Sequence, residues 1–402
     1  MFDNTLIFLE SECLHIMRSK ISPNDLSVVV AGPICGGVDS PYEQRWTLRV
    51  CESIRKYFPG AEIVLSTWKG SDVSGIDYDV LVENDDPGEI IRLDENNVPI
   101  ATNLNRMIFA VVSGLKKASR KYAIRTRTEL IFTSNACLSY WGVYRNFTPE
   151  KISKERIVTG VAHRINAHVR SSSIAIPNDF FALGLREDVL MLWDAPLIDM
   201  SLPIEKRLQR IPFSKSGYAR GEMHPYLSFL KKSPYYRKLF KCEQLEDAIS
   251  VLGECSYYQG GNCHLKIKGF SELSKIISEK MIADNLVPIS FDLLGINSLK
   301  YNKIGGYYPV HNAMRYYTFN EWKILYNRYC DGKLNVVLPA KHFSSFIAAR
   351  FILIVILPML KIIRRVTLNN MKWLHSLLKR IMIALKLDRT PAFQYLLYLL
   401  HK

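Results

Sequence analysis

The sequence predicts an α/β fold with a mainly parallel sheet, and three observations carry that prediction. Short β-branched runs alternate with stretches whose apolar residues recur at helical spacing, in the order strand, helix, strand, strand, helix, strand over about 110 residues from Leu26. The runs end in glycine, proline or polar clusters, where a chain turns. The composition, 48% hydrophobic and 23% charged over 402 residues, supplies a sizeable core and excludes a disordered chain, a collagen and a disulfide-held miniprotein.

The elements follow in order. Leu26–Ala31 (LSVVVA) is a buried strand feeding Gly32-Pro33. Pro41 to Tyr57 reads as a helix, with Trp46, Val50, Ile54 and Tyr57 at helical spacing, and Pro59-Gly60 stops it. Ala61–Ser66 and Asp79–Val82 are the second and third strands. Asn103 to Tyr122 is a helix with Met107, Val111, Leu115 and Ala118 on one face. Ala123-Ile124 and Leu130–Phe132 then flank the polar segment Arg125-Thr-Arg-Thr-Glu129. Beyond residue 150, Ile157–Gly160 and Ile176–Gly184 read as strands and Glu187–Trp193 as a short helix. In such sheets ligands bind beyond the carboxyl ends of the strands. Gly32-Pro33, Thr67-Trp68-Lys69 and Asp85-Asp86 all fall at predicted strand ends, so they are expected to converge on one cleft.

Two groups of charge compete for a role there. Between Lys116 and Arg127 lie six cations and no acid; the four at a helix end suit the helix dipole. Arg125 and Arg127 instead end or interrupt a buried strand. Alternation points them the same way, with Glu129 as a third member, either as a mutual salt-bridge set or around a bound diphosphate. Nine acids between Asp72 and Glu95 read chiefly as a solvated loop, since Asp86-Pro-Gly is turn chemistry, with Asp86 kept as a nucleotide contact.

The motifs taken together resemble the WavE family of lipopolysaccharide-synthesis proteins. Those residues are the first strand with Gly32-Pro33, the stretch 53–68 (SIRKYFPGAEIVLSTW), Asn103-Leu-Asn-Arg106, Arg125-Thr-Arg-Thr-Glu129 and 176–185 (IPNDFFALGL). The resemblance covers roughly residues 26 to 200. It implies a glycosyltransferase with a GT-A-like mixed sheet flanked by helices, which transfers sugar from a nucleotide-sugar donor to a lipid-linked saccharide acceptor in building lipopolysaccharide core or O-antigen. It also implies that Gly32, Pro33, Thr67, Trp68, Asn103 and Arg106 hold the donor. Arg125–Glu129 occupies the place where a GT-A enzyme carries Asp-x-Asp on a divalent cation, Mg2+ or Mn2+. Only Glu129 is acidic here, which leaves it the one candidate metal ligand and puts metal dependence in question. Arg125 or Arg127 can take part of the metal's task by stabilising the leaving phosphate. An acceptor hydroxyl needs a carboxylate base, and Asp179 is the candidate, against its reading as a turn or capping Asp.

The formal net charge is +15, and the last 62 residues hold eleven Lys/Arg and one acid, leaving a surplus of only five for the first 340. The apolar run Phe351–Leu360 is too short to span a bilayer. Met371, Leu374, Leu378, Ile381 and Leu385 form a 3–4 stripe, with Lys372, Lys379 and Lys386 off it and Trp373 alongside. That pattern predicts an interfacial helix, so that residues 343–402 dock on an anionic membrane surface; the rival is a hairpin packed on the protein. Basic residues interleaved with Leu, Ile and Met do not make a nucleic-acid surface, and no nucleic-acid partner is expected. Eight cysteines without a CxxC pair, and no basic leader, predict reduced thiols in the cytoplasm; Cys255, Cys263 and His264 fit no common zinc spacing. The expected organisation is an N-terminal extension (1–25), a nucleotide-sugar core (26–200), an acceptor-side remainder of the catalytic unit (201–340) and a basic helical tail (341–402). The expected location is peripheral, on the inner face of the bacterial inner membrane. A noncatalytic GT-A-like scaffold for a polysaccharide assembly complex is the alternative.

Overall fold

A computed structural model describes residues 21–93, 99–160, 179–202, 223–242, 244–253, 270–300 and 319–331. The tail 341–402, residues 1–20 and the Cys255/Cys263/His264 group lie outside the described residues.

The core is a seven-stranded mixed sheet in the order β10–β8–β9–β6–β1–β2–β3. Its strands are β1 (Leu26–Ala31), β2 (Glu62–Trp68), β3 (Val80–Asn84), β6 (Tyr122–Arg127), β8 (Ile157–Gly160), β9 (Ala182–Leu185) and β10 (Leu286–Ile289). Only β9 runs antiparallel to its neighbours. All six residues of β1 are buried, as expected of a strand covered on both faces. β10, from beyond residue 200, pairs with β8, so chain segments from both sides of that position build one sheet.

Helices cover the sheet. α1 (Trp46–Tyr57) packs on β7 (Leu130–Phe132), with Phe58 edge-on to Phe132 at 4.9 Å. α2 (Leu104–Lys117) lies across β1, β2, β3 and β6. It approaches closely because Gly114 has no side chain: a Cβ there would sit 2.5 Å from Val29 Cγ1. The Ser66 hydroxyl donates to the Ala110 carbonyl across the same contact, 2.7 Å away. α3 (Arg186–Trp193) packs beside α2 and on β6 and β9, and α4 (Met223–Leu230) packs on α3. α5 (Pro234–Lys241) and α6 (Leu245–Gly253) follow. α7 (Phe270–Asn285) leads into β10 and packs on α8 (Phe319–Tyr326). Among the described residues no helix is long and apolar enough to cross a membrane.

The register decides which side chains share a face. Val29 pairs with Arg125, and Ala31 with both Ser66 and Arg127. Side chains at register positions point the same way, and alternation carries the assignment along each strand. Val29, Ala31, Ser66, Trp68, Arg125 and Arg127 therefore all face α2.

The charged segments resolve as follows in the fold. Of the two readings of the Arg125–Arg127 segment, the structure has the strand end there rather than break: β6 runs to Arg127, with β9 paired as far as Arg125 and β1 to the last residue. The acidic stretch is largely exposed loop, as expected: outside β3 only its end is regular, where β4 (Ile90–Leu93) pairs as a hairpin with β5 (Pro99–Thr102). In the same stretch Asp77 and Asp79 clamp Arg55 of α1, at 2.8 and 3.0 Å.

Candidate functional site

The sheet order reverses between β1 and β6: from β1 the chain goes to β2 on one side, then returns to β6 on the other. At such a switch point the connections leave in opposite directions and a crevice opens beyond the carboxyl ends. A cavity of about 810 Å³ lies there. Its lining brings together Gly32, Pro33, Trp68, Asp86, Asn103, Arg106, Arg125, Arg127, Glu129 and Asp179. Thr67 is the exception among the predicted residues. It is buried, its hydroxyl donates to Ser71 Oγ at 3.3 Å, and alternation turns it to the face opposite Trp68.

Gly32 sits at φ +139°, and its N–H donates to the Ser66 carbonyl, which carries the β1–β2 ladder one bond beyond Ala31. Asn103 precedes α2 as its N-cap and accepts from Arg106 Nη1 at 2.8 Å. Arg106 grips Asp86 through Nε and Nη2, both at 2.7 Å, and reaches Glu89 at 3.2 Å. The guanidinium holds the Asp86 carboxyl below its ordinary range, and Asp86 raises Arg106 in turn.

The second charged group sits at the end of β6. Arg127 Nη2 lies 2.7 Å from Glu129 Oε1, and its Nη1 lies 3.5 Å from Asp179 Oδ2. Its guanidinium rests over the Phe180 ring at 4.7 Å. Arg125 lies deeper, 2% exposed and over the Trp193 ring at 4.7 Å. Its Nε and Nη1 have no hydrogen-bond partner among the described residues. Burial pulls its pKa down to about 10, opposed in part by the Asp179 carboxylate.

The donor set does not fit a divalent cation. Glu129 and Asp179, the carboxylates beside the end of β6, are both engaged by the Arg127 guanidinium. Among the described residues no three His, Cys, Asp or Glu side chains group as metal ligands. Glu129 is thus an ion-pair partner of Arg127.

The lining also includes Cys35, Trp46, Thr128 and Lys300, which sequence reasoning did not single out. Trp46 merges with the apolar stripe of α1, although an aromatic at a helix start beside a glycine turn was a usable signal. Cys35, whose thiol burial pushes up, lies 3.6 Å from Thr128 Oγ1. Lys300 arrives through β11 (Ile296–Ser298), which pairs with β7; the Leu299 N–H donates to the Glu129 carbonyl. No local pattern foretells that pairing.

A model of the WavE lipopolysaccharide synthesis family matches residues 26–356. The chain belongs to that family. The WavE match extends well past the 26–200 stretch that carries the resemblance in the sequence, and so takes in α7, β10 and Lys300 as well. No curated protein sequence matches the chain. Among solved structures it is similar to the mannosyltransferase PcManGT of Pyrobaculum calidifontis in complex with GDP-Man and Mn2+. That likeness has 11% identity and a TM-score of 0.26, over 68% of this chain and 94% of that one, and at that level it carries no argument about this WavE protein's ligand.

Proposed function

We propose that this WavE protein is a glycosyltransferase with a GT-A-like core that takes a nucleotide-sugar donor. The observation that carries the reading is the convergence of paired arginines and carboxylates on a cavity at the β1/β6 switch point, where a phosphorylated ligand meets strand ends and a helix start. Membership of a lipopolysaccharide-synthesis family supports a lipid-linked saccharide as acceptor, in core or O-antigen assembly. The basic amphipathic sequence of 343–402 supports docking on the anionic inner face of the inner membrane, where that acceptor lies.

The chemistry divides among the residues in the cavity. The acceptor hydroxyl oxygen attacks the anomeric carbon, the bond from that carbon to the phosphate oxygen breaks, and the nucleoside diphosphate leaves with the electron pair. Asp179 takes the hydroxyl proton, and Arg127 keeps its carboxylate in place. Arg127 also meets the charge growing on the departing phosphate. Trp68, Asn103 and Gly32-Pro33 line the part of the cavity left for the nucleoside.

A donor-hydrolysis screen across nucleotide sugars, with and without Mn2+, tests the reading. One donor should be hydrolysed, and Arg127→Ala should lower that rate by about 100-fold or more while the protein stays folded. Full activity in that variant removes the site assignment. The single acid within Arg125–Glu129 favours the second reading, a noncatalytic scaffold; it predicts that no nucleotide sugar binds or turns over.

A further inference from the structure

The cavity has an unusual floor. Arg125 is 2% exposed yet lines the cavity, and its Nε and Nη1 donors go unanswered among the described residues. Buried N–H groups are normally paired, and a charged one left without a partner is costly. Each carboxylate of the site is already committed: Asp86 to Arg106, and Glu129 and Asp179 to Arg127. The Trp193 contact uses the positive charge of Arg125 and leaves its in-plane N–H groups free to donate. The same holds for Arg127 over Phe180. The two arginines stand at alternate positions of one strand, facing α2 together, with the shallower one nearer the strand end. Donors so arranged suit an anion with several acceptor oxygens.

We propose that Arg125 and Arg127 hold the donor's diphosphate directly, so that the protein binds nucleoside diphosphates without a divalent cation. The proposal rests on the nucleotide-sugar reading and specifies how that site recognises its ligand. Arg125 supplies the buried fork that takes one phosphate. Arg127 takes the other and shares its guanidinium with Glu129 and Asp179. A planar guanidinium matches two phosphate oxygens at once, which an ammonium does not.

Calorimetric titration of the full chain with UDP, GDP and inorganic pyrophosphate, in EDTA and then in Mn2+, provides the test. Pyrophosphate and at least one nucleoside diphosphate should bind equally well in both, within about 2-fold. Arg125→Met should weaken that binding by ~10- to 100-fold, and Arg125→Lys should fall between it and the unaltered protein. Thermal unfolding of the ligand-free protein separates recognition from a structural role. An arginine that holds the fold together lowers the melting temperature when replaced by Met, whereas one awaiting an anion leaves it equal or raises it. Binding that appears only with Mn2+ overturns the cation-independent clamp and leaves the transferase reading standing. Binding without cation that Arg125→Met does not weaken, or a lower melting temperature in that variant with unchanged affinity, removes Arg125 from the site. Failure of all three ligands in both conditions overturns the nucleotide-sugar reading itself.

Discussion

At the scale of single residues, the proposed mechanism gives Arg127 two tasks that mutation can separate. It lies 3.5 Å from Asp179 and 2.7 Å from Glu129, so its loss would disturb the proposed base and phosphate site together. Asp179→Asn disturbs one of them. It removes the proton acceptor and keeps the shape, so transfer should fall ~100- to 10,000-fold while pyrophosphate affinity changes only a few-fold in a titration. A comparable loss of affinity would make Asp179 a binding residue. Neither role could be read from Pro-Asn-Asp-Phe-Phe alone, where a turn Asp explains the sequence as well. Arg125 and Arg127 were legible as a pair because alternation along a strand is a local rule. The burial of Arg125 over Trp193, a residue of α3, was not.

At the scale of elements, α2 sets the width of the cavity, and Gly114 sets the height of α2. Gly114→Ala would press a methyl against Val29 and Ser66, both buried in the sheet and unable to yield. It should cost about 1–3 kcal/mol, read as a lower melting temperature, and should weaken nucleoside diphosphate binding more than pyrophosphate binding, because Asn103 and Arg106 start that helix. A second element-scale prediction concerns α4. His224 is 4% exposed, and burial pulls its pKa below the ordinary histidine value, against the opposing effect of the bond its Nε2–H donates to the Pro196 carbonyl at 2.7 Å. Below about pH 6.5 the unfolded chain takes up a proton that the folded chain refuses, and stability falls as pH falls. The melting temperature should therefore drop between about pH 7 and 5.5 more steeply in the unaltered protein than in His224→Asn. Equal slopes would clear His224 of that role.

At the scale of the whole molecule, a buried polar network ties residues beyond the sheet to its edge. Lys280 of α7, 1% exposed, reaches Glu150 at 2.8 Å and Asp284 at 3.2 Å, and also donates to Thr148. Lys280→Ala would remove the cation that Glu150 and Asp284 share and should cost about 3–5 kcal/mol in denaturant unfolding. A loss under ~1 kcal/mol would mean that the network is dispensable. The basic tail carries the remaining whole-molecule prediction. Replacing Lys372, Lys379 and Lys386 with Gln should weaken sedimentation with anionic vesicles by roughly 100-fold, at ~1 kcal/mol per charge, and leave pyrophosphate binding unchanged. Undiminished sedimentation would remove the membrane role.

The sequence by itself determined the α/β class, the alternation of β1, α1, β2, β3, α2 and β6, and the strand-end residues from which the cavity is built. These follow from short-range rules of periodicity, turn chemistry and strand alternation, which act within about ten residues. Only the tertiary structure decided the rest. The strand order placed the switch point between β1 and β6. The pairing of β11 with β7 brought Lys300 to the site from about 170 positions away. Packing of α3 on β6 buried Arg125, whose Nε and Nη1 have no partner among the described residues. Each of those outcomes depends on which distant surfaces meet, and a one-dimensional pattern does not encode that, because many pairings satisfy the same local rules while only one closes the core.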